Sequence, residues 1–346
     1  MRFGIIGSGS WATALAKILT DNGNAIHWWV RNADTIQYIQ KRKHNPHYLS
    51  AAYFNQAQLQ LTDNVQDLVA AVDVIVVAVP SAYVSSIFEG IDANLLQGKK
   101  IVSAVKGILP DHNVLLNQYL HTNFNFPLDH YFTLLGPCHA EEVAAEKLSY
   151  LTFSGTTHEA AQEIASHFNC EYINTVVNTD IYGSQFASVL KNIYALGAGI
   201  AHGLEYGDNF LSVLIANSAD EMAGFLRKAG IINAEVGYIE HKNSLSDGQI
   251  HNNYAASVYM GDLLVTCYSL FSRNRGFGNM IGKGYSVKAA QLEMNMVAEG
   301  YNASRCMYAI NQKFKADMPI AETVYNIHWN NVPAAKAFEA MEPVLI

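Results

Sequence analysis

The feature that most constrains the fold of this chain is a glycine pattern near its N-terminus. A short apolar run at residues 2–6 leads into the letters GSGSWATALAKIL, in which Gly7, Gly9 and Ala12 form G-x-G-x-x-A. Between a strand and a helix, the first glycine permits a tight turn, the second lets the backbone approach a pyrophosphate, and the alanine keeps the helix close to the strand. The amides from Ser10 onward then form an anion site. The pattern predicts a strand–turn–helix unit that binds a dinucleotide.

The second predicted strand, residues 25–30, bears on which dinucleotide is bound. NAD-specific folds usually place an acidic residue near the end of this strand, where it holds the ribose hydroxyls. Here Arg31 and Asn32 follow the strand, and an arginine at that place can face a 2′-phosphate. We therefore expect NADP(H) to be accepted, with NAD(H) as the other candidate. The alternative for Arg31 is a solvated side chain at a strand end.

Further apolar runs alternate with helical patterns, and two of them end in polar residues. The predicted strands are residues 73–79, 100–105, 131–135, 148–154 and 171–176. In an open parallel sheet, ligands lie beyond the carboxyl ends of the strands. Lys106 and the turn Gly136-Pro137-Cys138-His139 follow two successive strands, so we expect them to face one crevice. The simpler alternatives are a surface lysine and an inert cysteine.

The strand pattern largely stops after Thr179, and most of the remainder has helical spacing. This order predicts an α/β N-terminal Rossmann domain, with a doubly wound, mostly parallel sheet, over residues 1–180. An all-α C-terminal domain is predicted over residues 181–346. The stretch 231–254 is irregular and shows no clear pattern.

A lysine stands in the middle of the first C-terminal helix pattern. Apolar residues recur at helical spacing between Gly183 and Asn209, which predicts one long helix. Lys191 has alanines one turn away on both sides, at Ala187 and Ala195, so a small molecule or another backbone has room beside it. An ammonium near apolar surface has its charged form disfavoured, which brings its pKa toward the working range of an acid–base group. The alternative is a lysine that extends to solvent.

A second cluster of polar residues follows the helical pattern at 255–271. The letters SRNRGFG, residues 272–278, place two arginines and an asparagine in what reads as a loop. Planar guanidinium groups suit phosphate or carboxylate. The alternative is a surface loop punctuated by glycine.

Composition limits the function classes and the compartment. The 346 residues carry a formal net charge of −8, which disfavours general binding of nucleic acids and anionic membranes. The four cysteines are scattered without a C-x-x-C pair, and no metal-ligand spacing appears. We therefore expect no metal, a reducing compartment and no disulfide framework. With no signal-peptide pattern and no apolar run that could span a bilayer, we expect a cytoplasmic protein without integral membrane association.

These pieces together resemble one family, the bacterial-type NAD(P)-dependent glycerol-3-phosphate dehydrogenases. The resemblance spans nearly the whole chain in family order. Its strings are GIIGSGSWATALA, VIVVAVPS, SAVKGI, LLGPCHAEEVA, VLKNIYALGAGIAHGLEYGDN, GDLLVTCYSLFSRNRGFG, VAEGYNAS and MPIAETVYNIHW. The family's fold is a Rossmann domain followed by a helical domain, as predicted above.

The resemblance implies a role for each matching residue. Those that would contact NADP(H) or NAD(H), besides the motif glycines Gly7 and Gly9, are Ser10, Trp11, Arg31, Lys106, Ala140, Arg273, Val297 and Glu299. Those that would bind a small phosphorylated substrate are Lys106, Gly136, Cys138, Lys191, Asp262, Ser272, Arg273 and Asn274. Among these, Lys191 matches the catalytic lysine and Asp262 the aspartate of the family's GDL string.

The implied reaction interconverts sn-glycerol 3-phosphate and dihydroxyacetone phosphate, and it supplies glycerol 3-phosphate for phospholipid synthesis. Two places depart from the family pattern: Cys138 stands where serine or threonine is usual, and residues 257–260 replace a glycine-rich lead-in to GDL. Two other functions remain open. One is a hydroxyacid dehydrogenase of similar architecture, and the other is a dinucleotide-sensing protein without turnover. A homodimer is a candidate assembly.

Overall fold

The computed structural model describes residues 1–231, 257–294 and 298–346. They form two compact units. The first contains residues 1–105 and 114–181, and the second contains the described residues of 182–346 together with the short segment Lys106–Asn113. The main division therefore falls near residue 181, but this segment, placed by the sequence in domain 1–180, belongs to the second unit.

The first unit is built on an eight-stranded sheet. Its strands are β1 (Phe3–Ile6), β2 (Ile26–Trp29), β3 (Leu59–Thr62), β4 (Val74–Val77), β5 (Lys100–Ser103), β6 (Tyr131–Leu135), β7 (Ser149–Ser154) and β8 (Ile173–Asn178). The strand order is β3-β2-β1-β4-β5-β6-β7-β8. Its first six strands have the order of a doubly wound dinucleotide-binding sheet. Neighbouring strands of this sheet run parallel, except that β7 is antiparallel to β6. The predicted α/β class and mostly parallel sheet are confirmed.

Helices cover both faces of this sheet, so its central strands are buried. The helices of the first unit are α1 (Ser10–Asp21), α2 (Ala33–Arg42), α3 (Val65–Ala71), α4 (Ser81–Phe88), α5 (Leu116–Phe124), α6 (Ala140–Ala144) and α7 (His158–Ser166). The whole of β4, with the sequence VIVV, is buried, as expected for a strand covered on both faces. Phe3 of β1 packs edge-to-face on Phe168, which fixes the end of α7 against the sheet.

The described part of the second unit is helical. Its helices are α8 (Ile181–Gly203), α9 (Asp208–Lys228), α10 (Asp262–Tyr268), α11 (Arg273–Gly282), α12 (Val287–Glu293), α13 (Glu299–Phe314), α14 (Pro319–Trp329) and α15 (Ala334–Met341), with a π-helical turn Ser257–Gly261 before α10. None of the described helices is long and apolar enough to cross a membrane.

The predicted single helix over 183–209 is wrong at its end. Helix α8 ends at Gly203, and α9 begins at Asp208. Between them Glu205 has φ +66°, a left-handed backbone that a continuing helix does not allow. Gly207 then provides the extended N-cap of α9.

A buried carboxyl group joins two helices of the second unit. Glu221 of α9 is 6% exposed. It accepts the backbone N–H groups of Ile320 at 2.7 Å and Ala321 at 3.0 Å, at the start of α14. Burial raises the pKa of Glu221 to about 8, although these N–H donors and the nearby Tyr194 hydroxyl act in the opposite direction. The carboxyl oxygens thus accept from helix N–H groups that would otherwise be unpaired.

Candidate active site

The turn after β1 has the backbone that the glycine pattern predicts. Gly7 has φ +127°, and a Cβ there would lie 2.5 Å from the carbonyl oxygen of Ala78. Only glycine fits this position without strain. The indole Nε1 of Trp28, on β2, donates to the Gly7 carbonyl at 2.6 Å. The turn is therefore fixed from the neighbouring strand.

Gly9 leaves open space at the start of α1. It is the N-cap of this 12-residue helix, and no side chain caps the helix there. A Cβ on Gly9 would have no atom within 4 Å. Backbone amides at such a helix end, approachable because no Cβ covers them, suit a pyrophosphate. The residues present thus fit a dinucleotide.

Asn45 supports this loop, and the sequence reasoning missed it. Its side chain is fully buried and donates to the carbonyl of Ser8 at 3.0 Å and to Thr13 Oγ1 at 2.9 Å. Thr13 Oγ1 in turn donates to the carbonyl of Gly9 at 2.9 Å. A lone asparagine some thirty residues after the glycine pattern gives no signal of this contact in the sequence.

The other candidates of the first unit differ in their surroundings. Arg31 is exposed and lies two residues after the end of β2, and Asn32 caps α2 by accepting from Asp34 N–H at 2.8 Å. Gly136 has φ +127°, and a Cβ there would lie 2.9 Å from the carbonyl of Tyr150, so it serves the close approach of β6 and β7. Cys138 is 6% exposed and lies in the hydrophobic core of this unit. Its contact with the substrate, which the family resemblance implies, stays a prediction.

In the second unit, Lys191 and Asp262 form a buried ion pair. Lys191 Nζ lies 2.5 Å from Asp262 Oδ1, with side chains 4% and 1% exposed. The alternative of a lysine extending to solvent is therefore wrong. Lys191 Nζ also donates to Thr266 Oγ1 at 3.2 Å, and this hydroxyl donates to the Asp262 carbonyl at 2.5 Å. Because its own hydrogen is engaged, the Thr266 oxygen faces the ammonium as an acceptor.

The environment of Lys191 disfavours its charge. Burial lowers the pKa of Lys191 to about 8; the Asp262 carboxylate raises it and the Lys106 ammonium lowers it. Burial raises the pKa of the neighbouring Cys267 thiol to about 12, so Cys267 stays neutral. Lys191 therefore changes protonation state close to neutral pH, as an acid–base group requires.

The ion pair leaves hydrogen-bonding capacity for a ligand. An ammonium has three N–H donors, of which Asp262 and Thr266 engage two. Asp262 Oδ2 is buried, and no described residue donates to it. A buried acceptor without a donor is costly, so a substrate hydroxyl would be favoured there. The site can therefore bind an oxygen at Lys191 and a hydroxyl at Asp262.

A relay of amide hydrogen bonds links four segments around this pair. The N–H of Gly300 donates to Asn274 Oδ1, Asn274 Nδ2 donates to Asn192 Oδ1, and Asn192 Nδ2 donates to the carbonyl of Lys106, each at 2.9 Å. The relay fixes the backbone of Lys106 and the start of α11 relative to α8. Asn274 is thus engaged mainly in holding these segments together.

The residues 272–278 form the start of a helix and not a loop, so that prediction is wrong. Ser272 is the N-cap of α11, and its hydroxyl accepts from the N–H of Arg275 at 3.3 Å. A serine followed by a helical run is a capping signal that the glycines obscured. Arg273, half-buried, is the first residue of the helix. Its guanidinium and the helix N-terminus both favour an anion.

Comparison with known proteins decides the family. The model of the NAD-dependent glycerol-3-phosphate dehydrogenase N-terminus matches residues 2–173, and that of the C-terminus matches residues 180–339. The chain belongs to this family. A glycerol-3-phosphate dehydrogenase (NAD(P)+) of Bacillus subtilis is 33% identical over 340 residues, 97% of this chain and 92% of the relative.

Other dehydrogenases of the same name agree with this assignment. The Chlorobium chlorochromatii protein is 31% identical over 338 residues, 97% of this chain and 96% of its own. A solved structure of the Coxiella burnetii glycerol-3-phosphate dehydrogenase is similar with a TM-score of 0.84 at 25% identity, covering 98% of each chain. The relationship therefore extends over both units.

The residues that the family resemblance singled out divide between the two units. The first unit carries Gly7, Gly9, Ser10, Trp11, Arg31, Gly136, Cys138 and Ala140. The second carries Lys106, Lys191, Asp262, Ser272, Arg273, Asn274 and Glu299, while Val297 lies outside the described residues. Asn192 and Thr266 were missed as site residues, although Asn192 follows Lys191 directly and Thr266 is one helical turn after Asp262. Their places in the sequence do not show which groups they contact.

Proposed function

We propose that this chain is an oxidoreductase that interconverts sn-glycerol 3-phosphate and dihydroxyacetone phosphate with NAD(P)(H). The observation that carries the proposal is the buried Lys191–Asp262 pair, whose ammonium has a lowered pKa and a spare N–H donor. Family membership supports the same reaction. The product, glycerol 3-phosphate, would serve phospholipid synthesis.

Lys191 is the proposed acid–base group. A bound nicotinamide supplies hydride in one direction and accepts it in the other. When the ketone carbon gains hydride, negative charge develops on its oxygen, which the Lys191 ammonium stabilises and protonates. In the reverse direction the neutral amine accepts the hydroxyl proton. Asp262 Oδ1 and Thr266 Oγ1 hold Nζ in place during both steps, and Asp262 Oδ2 accepts from a terminal substrate hydroxyl.

The start of α11 is the proposed phosphate site. Arg273 offers a planar fork of donors beside the N-terminus of a 10-residue helix capped by Ser272, and both features favour a dianion. Lys106 adds a positive charge whose backbone is held by Asn192. Asn274 orders these segments and has one remaining N–H for the ligand. Binding of the remote phosphate would place the reacting carbon.

The first unit is the proposed cofactor-binding part. Gly9 and the uncapped amides of α1 would hold the pyrophosphate, with Ser10 and Trp11 in the first turn and Ala140 at the start of α6. Arg31 is exposed after β2, and Arg31 and Asn32 stand where NAD-specific folds usually place an acidic residue, which supports acceptance of the 2′-phosphate of NADP(H). Arg273, Val297 and Glu299 would contact the cofactor as the family resemblance implies.

The test is consumption of NADPH and NADH with dihydroxyacetone phosphate, followed by absorbance. Pyruvate and 2-ketoisovalerate serve as comparison substrates for a hydroxyacid dehydrogenase. We expect turnover of dihydroxyacetone phosphate, and we expect Lys191→Met to lower the turnover rate by about 10²-fold or more. Faster turnover of a keto acid, or cofactor binding without turnover of any substrate, would contradict the proposal.

We further propose a cytoplasmic homodimer. Large apolar side chains are exposed along α9, α10 and the residues after α10, at Val213 (41%), Leu264 (37%), Tyr268 (46%), Leu270 (91%) and Phe271 (54%). Such a patch favours association. All four cysteines are free thiols, as suits a reducing compartment. Sedimentation should give a dimer for the natural chain and a monomer for Leu270→Glu; an unchanged mass would remove the patch from the interface.

A further inference from the structure

Helices α8 and α11 touch through four glycines. Gly199 and Gly203 lie on α8, and Gly278 and Gly282 lie on α11, each pair spaced by four residues. A Cβ on Gly199 would lie 2.1 Å from the carbonyl oxygen of Arg275, and a Cβ on Gly203 would lie 2.4 Å from that of Asn279. A Cβ on Gly278 would lie 2.1 Å from the carbonyl oxygen of Leu196, and a Cβ on Gly282 would lie 2.4 Å from that of Ile200. A carbon contacts a carbonyl oxygen at about 3.3 Å or more. At this separation of the two backbones, no residue other than glycine fits at these four positions.

This crossing lies beside the phosphate site on both helices. The carbonyl of Arg275, which faces Gly199, is only two residues after Arg273, in the first turn of α11. The carbonyl of Leu196, which faces Gly278, is five residues after Lys191 on α8. The hydrogen bond from Asn274 to Asn192 joins the same two helices at their N-terminal sides. The distance between the backbones thus determines where Arg273 lies relative to Lys191.

Other glycines on the same helices lack this constraint. On α8, a Cβ on Gly197 would meet Val324 Cγ2 at 3.4 Å, an ordinary contact. On α11, a Cβ on Gly276 would have no atom within 4 Å. Glycine inside a helix is destabilising relative to alanine. The tight packing at Gly199, Gly203, Gly278 and Gly282 is therefore specific to the side of each helix that faces the other.

We propose that these four glycines, the glycine crossing, are positioning residues that set the reach of Arg273 to the substrate phosphate. They touch no substrate and act through the backbone of the first turn of α11. The inference rests on the proposed function, since it requires that the substrate carry a phosphate at this site. It predicts that the crossing determines discrimination between phosphorylated and unphosphorylated trioses.

The expected effect follows from the distances. In Gly199→Ala, the new methyl group must move from 2.1 Å to ordinary contact with the Arg275 carbonyl oxygen, so α11 must shift by about 1 Å. A displacement of about 1 Å between substrate-positioning and reacting groups costs about 10²-fold in rate. Gly278→Ala introduces the same 2.1 Å conflict from the other helix, and we expect the same loss.

The experiment compares kcat/KM for dihydroxyacetone phosphate with kcat/KM for dihydroxyacetone at saturating NADPH. Unphosphorylated triose does not use Arg273, so Gly199→Ala and Gly278→Ala should lower the ratio of the two constants by about 10²-fold. Loss of folded protein lowers both constants equally and leaves the ratio unchanged. Gly197→Ala is the matched control, because it lies on α8 two residues from Gly199 and its Cβ would make only an ordinary contact; it should keep the natural ratio. Thermal unfolding of all three variants monitors the fold.

Each outcome decides the question. A natural ratio in a folded Gly199→Ala or Gly278→Ala protein overturns the proposal, and so does an equal loss in the control variant Gly197→Ala. If neither crossing variant folds, the glycines serve the fold alone and the proposal is also overturned. Absence of turnover of dihydroxyacetone phosphate by the natural chain would instead refute the proposed function. A lowered ratio confined to the crossing variants supports the positioning role.

Discussion

The pKa of Lys191 should give the two directions of the reaction opposite pH dependences. Burial and the Lys106 ammonium lower this pKa to about 8, against the effect of Asp262. Only the neutral amine accepts a proton, so the fraction competent for oxidation is about 9% at pH 7, 50% at pH 8 and 91% at pH 9. The ammonium fraction that serves reduction is the complement. With an ordinary lysine pKa, the neutral fraction at pH 9 would be only about 4%.

The assay is kcat/KM for sn-glycerol 3-phosphate and for dihydroxyacetone phosphate at saturating cofactor between pH 6.5 and 9.5. Oxidation should rise about tenfold from pH 7 to 9, and reduction should fall about tenfold. The two changes together, about 100-fold, equal what one proton per turnover requires over two pH units. The way in which the ratio of the two kcat/KM values, for oxidation and for reduction, changes with pH is therefore fixed by thermodynamics. The midpoint near pH 8 that the two profiles share is the quantity that tests the structure.

Two variants separate Lys191 from other lysines. Lys191→Met should lower turnover by about 10²–10⁴-fold and remove the midpoint near pH 8. The matched control is Lys17→Met, because Lys17 is also buried and ion-paired, with Asp21 at 2.6 Å, but belongs to the first unit. The pH profile of Lys17→Met should keep its midpoint near pH 8. An oxidation rate that still rises about tenfold per pH unit at pH 9.5, or a midpoint that moves with Lys17 and not with Lys191, would refute the acid–base role.

Three further outcomes follow from residues described above. Arg31→Asp should shift the kcat/KM preference from NADPH toward NADH, because a carboxylate repels the 2′-phosphate and accepts from ribose hydroxyls; an unchanged preference removes Arg31 from the site. Arg273→Lys should raise KM for dihydroxyacetone phosphate about tenfold or more, since charge remains but the planar fork is lost; a natural KM argues against a phosphate contact. Between about pH 4.3 and 8, Glu221 keeps a proton in the folded state that the unfolded chain has already lost, because burial raises its pKa. The free energy of unfolding should therefore fall with rising pH in that window, by up to about 1.4 kcal/mol per pH unit. In urea unfolding at pH 5, 6.5 and 8, Glu221→Gln should remove this contribution; an identical pH slope would contradict it.

Local patterns predicted the elements whose residues determine their own conformation. A strand buried on both faces favours β-branched residues, and the run VIVV of β4 shows them. The turn after β1 needs a positive φ, which the glycine at position 7 permits. The contacts made over long sequence separations were not predictable from spacing. Asn192 and Lys106 are 86 residues apart, and Lys191 and Thr266 are 75 apart. In the sequence, the four glycines of the crossing look like ordinary turn or loop residues, because only the structure shows which helix packs against them.

The membership of segment Lys106–Asn113 in the second unit has a consequence for biosynthesis. This segment is flanked on both sides by residues of the first unit, yet its Lys106 carbonyl is held by Asn192, 86 residues later. At about 5–20 residues per second, the ribosome makes Asn192 some 4–17 s after Lys106. During that interval the emerging N-terminal half holds a loop whose final partner does not yet exist. An exchange of halves between two relatives at a single junction near residue 181 would separate this loop from the unit to which it belongs. A hybrid that carries residues 106–113 together with the C-terminal half keeps the loop with its own unit.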